Sequence, residues 1–328
     1  MRRLLPAALI FLTIGPMPGT HFRYPVDDES QSVTARVLRH PAATDGMLRF
    51  VEGWRLSSRN SSFGGFSALA WQSGDRFLLI GDNGHWTRFR LGDGGRVDDV
   101  AIGATPLPPN NPGRKAFVDT EAVAVDPATG KIWVALEGIN QIWRLNPSFT
   151  RIESRNRSAQ LARWPTNRGA EAMARLADGR TLVFSEGADD DDRGTEALLF
   201  TGDPAKPGQR GLRFFYDAEG KGQVSDAAPL PDGRVLLVHR KLGLSPLFTT
   251  ILAIVDPAEI RKGGVVRSVA IGQVPEPLRD NFEGAAVMVE DGQTFLWLVS
   301  DDNFNKWQRS LLLKFELVDL PDSKKAAR

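Results

Sequence analysis

The chain has 328 residues, 41% of them hydrophobic, with 32 glycines, 21 prolines and no cysteine. That is ample apolar material for a core, and it excludes a disulfide framework, a lipid-modified cysteine and cysteine-bound zinc. The formal net charge of +1 falls to about −1 if residues 1–20, with Arg2 and Arg3, are removed, which argues against nucleic acid as the partner.

Met1-Arg2-Arg3 and the apolar run Leu4–Ile14 read as the basic and hydrophobic regions of an export signal, too short to span a bilayer. A periplasmic or secreted protein is expected, with no membrane span in the mature chain. Gly15–Thr20 lacks a clean Ala-x-Ala cleavage site, so an uncleaved anchor is the alternative. Residues 21–32 form a polar leader, and Val33–Leu38 and Leu48–Leu56 are strand candidates.

From Ser67 onward a cassette recurs five times: a carboxylate beside a small residue, a strand, a turn, a returning strand and a second carboxylate. The copies read Ser67-Ala-Leu-Ala-Trp with Gly81-Asp82-Asn83, Glu121-Ala-Val-Ala-Val with Glu137-Gly138, and Glu171-Ala-Met-Ala with Glu186-Gly187. The last two are Asp226-Ala-Ala-Pro-Leu with Arg240-Lys241, and Glu283-Gly-Ala-Ala-Val with Asp301-Asp302-Asn303. Steps of 54, 50, 55 and 57 residues between first positions suit one four-stranded propeller blade each and are too long for ankyrin or leucine-rich repeats. The expected fold is all-β: a single β-propeller over residues 33–317, with residues 318–328 as a tail. Five blades are expected, a sixth around Val33–Leu56 being the alternative. The final copy offers three strands, the last Leu311–Leu317, so an N-terminal strand should complete it and close the ring.

A hairpin returns its second strand to the edge where the first began, so both acids of a copy should sit at one end. Around a ring these ends converge on one rim. Candidate ligands for a hard cation, calcium above all, are Asp82, Glu121, Glu137, Glu186, Asp226, Glu283, Asp301 and Asp302. The competing reading is that acids at strand starts cap loops in every blade. Cations are interleaved with them: Arg114, Lys115, Arg168, Arg240, Lys241, Arg279, Lys306 and Arg309. Guanidinium groups beside a metal suit an anionic phosphate, or they simply neutralise neighbouring acids. Glu171, Arg168, Arg240, Lys241 and His85 are therefore the candidates for chemistry, and His239 lies close to the Arg240 position. The Pro-rich stretch Ala104–Lys115 should lie over the rim as an extended loop. Asp189–Asp192 is a solvated acidic turn or a peripheral calcium site without EF-hand spacing. Most tryptophans fall in strands; Trp86 and Trp307, beyond Asp82 and Asp302, are the two that could face a ligand. Gly65-Phe66-Ser67-Ala68-Leu69 lacks the second glycine of a nucleophile elbow, so activated water is the better attacking group.

The segments Gly64-Gly65-Phe66-Ser67-Ala68-Leu69, Gly81-Asp82-Asn83-Gly84-His85-Trp86, Asp119-Thr120-Glu121-Ala122, Arg168-Gly169-Ala170-Glu171-Ala172, Asn281-Phe282-Glu283-Gly284 and Ser300-Asp301-Asp302-Asn303-Phe304 together resemble the phytase-like family, often labelled "esterase-like activity of phytase". The resemblance runs from about Val33 to Leu317. It implies a propeller, export and hydrolysis of a small phosphate-bearing substrate at a calcium-lined rim. Ser67 and Arg240-Lys241 depart from an all-acid pattern. The alternative functions are a periplasmic ligand- or protein-binding propeller, and hydrolysis of carboxyl esters or lactones.

Overall fold

The computed structural model describes residues 28–39, 43–73, 75–106, 117–126, 128–187 and 192–321. The expected export signal, most of the Pro-rich stretch with Arg114 and Lys115, Asp189–Asp191 and the tail from Asp322 lie outside the described residues.

Twenty-three strands and a few short 3-10 turns make up the described chain. Strands β1 (Thr34–Val37), β2 (Thr44–Asp45) and β3 (Leu48–Ser57) come first. Blade 1 holds β4 (Phe66–Ser73), β5 (Arg76–Gly81), β6 (His85–Gly92) and β7 (Arg96–Ala104). Blade 2 holds β8 (Thr120–Val125), β9 (Ile132–Leu136), β10 (Gln141–Leu145) and β11 (Ile152–Asn156). Blade 3 holds β12 (Ala170–Arg175), β13 (Thr181–Ser185), β14 (Thr195–Phe200) and β15 (Leu212–Asp217). Blade 4 holds β16 (Gln223–Pro229), β17 (Val235–Leu242), β18 (Phe248–Val255) and, after β19 (Val265–Arg267), β20 (Val269–Gln273). Blade 5 holds β21 (Phe282–Glu290), β22 (Gln293–Ser300) and β23 (Leu311–Leu317).

The ring has five blades. Val33–Leu56 does not build a sixth: β3 pairs antiparallel with β23, Leu317 opposite Leu48, and β1 extends the same sheet. An N-terminal strand therefore closes the ring, as the three-stranded last copy requires. Blade 3 also gains β19, a parallel partner of β15 lent by the chain of blade 4.

Each blade buries both faces, so apolar residues run continuously along its middle strands, as in Ile132–Leu136 and Val235–Val238. The core is split into layers between neighbouring blades. Leu236, Leu252, Leu298 and Leu313 fill one layer, and Leu78, Ile80, Val134 and Trp143 another. Each such side chain contributes about 1.5–3 kcal/mol by leaving water. The innermost strands β4, β8, β12, β16 and β21 lie side by side around the axis. Their alanines, Ala68, Ala70, Ala122, Ala124, Ala172, Ala174, Ala227 and Ala285, are buried and small enough to let five strands converge.

Candidate functional site at the funnel rim

All five inner strands begin with the same irregularity. Their pairing skips one residue between Phe66 and Ala68, Thr120 and Ala122, Ala170 and Ala172, Val224 and Asp226, and Phe282 and Gly284. A bulge of this kind re-aims the unpaired side chain and is favoured next to functional sites. The residues so presented are Ser67, Glu121, Glu171, Ser225 and Glu283.

This register corrects the fourth copy. Its rim position is Ser225, not Asp226, because the bulge falls one residue earlier than the acidic spacing implies. Two serines fill equivalent places and close seams between blades. The Ser67 hydroxyl donates to the Thr120 carbonyl at 2.5 Å, and the Ser225 hydroxyl to the Phe282 carbonyl at 3.1 Å. Asp226 lies one step deeper and is 1% exposed. Its carboxylate accepts from the Ala227 amide at 2.8 Å and, across the seam, from the Ala285 amide at 2.6 Å. Burial pushes its pKa well above the ordinary aspartate range, although both amides pull it down.

The second position of each copy follows the residue that pairs with the one just before the bulge. It is Asp82, Glu137, Glu186, Arg240 and Asp301 in blades 1 to 5. Arg240 thus replaces an acid in register, as the sequence suggests. Arg240 and Lys241 are separated, however, because successive strand side chains point to opposite faces. The Arg240 guanidinium donates to Glu283 and to Asn281 Oδ1 at 3.4 Å, and stands 3.6 Å from Glu186. Lys241 is exposed and reaches the Gly220 carbonyl at 3.3 Å.

The rim is electrostatically divided. Around Arg240, Glu283 Oε1 also accepts from the Asn281 side-chain amide at 2.9 Å, and the same amide reaches Asp301 Oδ2 at 3.4 Å. Around blade 2, carboxylate oxygens of Asp119, Glu121 and Glu137 lie within 4.8 Å of one another. Glu137 is oriented by the Gly169 amide, which donates to its Oε1 at 3.0 Å. Glu121 is raised well above the glutamate range by burial in the funnel wall, then by the charges of Glu171, Asp119, Asp82 and Glu137. Glu171, 8% exposed, is raised by burial and by Glu186, with Arg240 opposing. Asp301 is raised by burial and by Asp82 and Asp302, and Glu186 by burial against the pull of Arg240 and Arg168.

The remaining candidates divide plainly. Asp302 is engaged by protein: Oδ1 accepts from the Gly65 and Phe304 amides at 2.9 and 3.0 Å, and Oδ2 from the Ser310 hydroxyl at 2.8 Å. Gly64 makes room for it, since a Cβ there, at φ +118°, would stand 2.8 Å from Asp302 Oδ1. His85 opens β6, its amide held by Asn83 Oδ1 at 3.0 Å. Arg168 is exposed beside Gly187 and pulls on Glu186. His239 is fully buried against the Tyr216 hydroxyl at 2.6 Å, and burial lowers its pKa to about 4. Of the two tryptophans singled out, Trp86 packs on Phe149 and donates to the Ala104 carbonyl at 3.1 Å, whereas Trp307 is 90% exposed. Asp119 is the member of the acidic group that the cassette overlooks. Its signal is the Asp119-Thr120-Glu121 spacing, since residues two apart along an extended chain point to the same side.

An all-oxygen set of three clustered carboxylates fits a hard cation such as calcium, which takes carboxylate oxygens in flexible geometry. The blade 2 side of the rim can therefore hold a metal, and the Arg240 side can meet an anion.

A family model described as "Phytase-like: Esterase-like activity of phytase" matches residues 61–304. No curated protein matches the chain significantly. Solved structures with a similar backbone include Kuenenia stuttgartiensis hydrazine synthase, at 11% identity and TM-score 0.40, covering 75% of this chain and 58% of that one. An exo-1,5-α-L-arabinanase from a bovine ruminal metagenomic library matches at 13% identity and TM-score 0.46, covering 76% and 91% of the two chains. The Swd1 β-propeller domain of Myceliophteria thermophila matches at 10% identity and TM-score 0.42, covering 87% and 99%.

Proposed function

The chain belongs to the phytase-like family, and on that premise we propose that it is an exported, calcium-dependent phosphoester hydrolase working at the funnel rim. The observation that carries this reading is the divided rim, with a cation-ready triad of Asp119, Glu121 and Glu137 on one side and Arg240 on the other. A structural ring of caps would need no such asymmetry.

Asp119, Glu121 and Glu137 would hold calcium, which would supply Lewis-acid stabilisation of negative charge on a phosphate and favour ionisation of the attacking water. Arg240 would bind a phosphate oxygen, using guanidinium donors now turned toward Glu283 and Glu186. Asn281 keeps Glu283 and Asp301 in place while Arg240 exchanges partners. Glu171, on β12 between the strands carrying the triad and Arg240, is the group placed to move a proton to or from the ester. Arg168 adds positive charge at the outer edge.

The test joins metal binding to turnover. Calcium titrated into metal-free protein should bind saturably and raise the melting temperature, and D119N with E137Q should abolish both effects. The loaded protein should then hydrolyse members of a phosphomonoester panel. Saturable binding without turnover of any ester would leave a calcium-stabilised binding propeller in its place.

A further inference from the structure

In four blades the second strand stops before the rim residue. β5 ends at Gly81, β9 at Leu136, β13 at Ser185 and β22 at Ser300. In blade 4 it does not stop: β17 runs through Arg240 to Leu242 and stays paired with β18, Leu242 opposite Phe248. The blade that replaces an acid by arginine therefore also raises a hairpin arm beyond the rim. Side chains alternate along a strand, so Leu242 shares the face of Arg240, and Lys241 lies on the other.

The arm carries apolar surface into water. Leu242 is 42% exposed and Leu244, at the tip, 82%. The neighbouring loop between β22 and β23 carries Trp307, 90% exposed, its amide fixed by Asn305 Oδ1 at 2.8 Å. The bases of arm and loop are tied by hydrogen bonds from Arg240 through Asn281 to Asp301, each 3.4 Å. Contact of such side chains with an apolar group would remove both from water, which is the gain a ligand at this mouth could draw on.

We propose that the mouth selects anionic esters whose departing group is apolar, an aryl or extended alkyl group held between Leu242, Leu244 and Trp307 while the charged ester end meets Arg240. This rests on the hydrolase reading. Hydrolysis remains ordinary: a water oxygen joins phosphorus, the bond to the departing oxygen breaks, and that oxygen takes a proton. A highly charged polyol would instead set its anionic groups against Leu244 and Trp307, which offer no compensating charge.

The probes are naphthylphosphonate and methylphosphonate, which cannot be hydrolysed, titrated calorimetrically into the calcium-loaded full chain. Wild type should bind the naphthyl probe at least about tenfold more tightly, as expected for burying one aromatic ring. L244N and W307A, both at exposed positions, should each erase most of that advantage and leave methylphosphonate affinity unchanged. With naphthyl phosphate as substrate, the same variants should raise KM with kcat preserved. Equal affinity for the two probes, binding of neither, or an advantage that survives both variants would overturn the proposal. Aryl preference without turnover of any ester would support the mouth while sinking the hydrolase reading, whereas turnover without aryl preference would do the reverse.

Discussion

In the proposed mechanism Arg240 and Glu171 carry the chemistry, and they should respond differently to substitution. Arg240 is 18% exposed and offsets Glu283, Glu186 and Asp301. Removing it in R240M should lower stability by on the order of 2 kcal/mol, less than for a fully dry pair because the stranded carboxylates can take up protons. Phosphoester kcat/KM should fall by about two orders of magnitude. Burial and the charge of Glu186 raise the Glu171 pKa well above the ordinary glutamate range, so E171Q replaces a carboxylate whose charged form the site disfavours by a neutral group of the same shape. Melting temperature should stay level or rise in E171Q while turnover drops at least about a hundredfold. A loss of stability in E171Q with activity intact would assign Glu171 to structure. Both residues were legible in the sequence as cassette positions. Lys241 was legible too, but the sheet separates it from Arg240, and no count of spacings reveals which neighbour a strand turns away.

The bulge at each inner-strand start decides which element presents what. It brings Glu121, Glu171 and Glu283 into one ring and hands the two remaining places to Ser67 and Ser225, whose hydroxyls close seams. Asp226 consequently works as a clamp between β16 and β21. D226N turns one acceptor into a donor facing an amide and should cost about 1–3 kcal/mol, read as a lower denaturation midpoint with unchanged calcium binding. Unchanged stability with lost calcium affinity would return Asp226 to the metal set. The acidic period of about fifty residues was readable from the chain, but the one-residue offset in blade 4 was not. An acid and a serine adjoin there, and only backbone pairing shows which one the strand leaves out.

At the scale of the molecule, the ring is held shut by β3 against β23, with Trp54 stacked on Trp297 and Phe50 edge-on to Phe315 across the closing sheet. The same ring gathers carboxylates that repel one another. Glu121, Glu171, Asp226 and Asp301 all have raised pKa values, from burial first and, except at Asp226, from like charge next. A raised folded-state pKa means the native protein binds more protons than the unfolded chain above about pH 4. Metal-free stability should therefore be greatest in acid and decline as pH rises through these groups. Because calcium competes with those protons, its stabilisation should be larger at pH 8 than at pH 5. Melting curves at both pH values, with and without calcium, test this. A metal-free melting temperature that climbs with pH would mean the acids are already satisfied as anions.

The sequence by itself determined the all-β class, the five-unit period and closure by an N-terminal strand. Repetition at a fixed spacing leaves a ring of hairpins as the natural way to bury every repeat's apolar faces. Tertiary structure alone decided that Asp119 joins Glu121 and Glu137, that Asp302 spends its oxygens on Gly65, Phe304 and Ser310, and that Ser225 takes the rim place of Asp226. It also raised β17 past the rim with Leu242 and Leu244 beside Arg240. These outcomes depend on the register between paired strands and on contacts across blade seams, where one skipped residue changes which side chain meets the funnel.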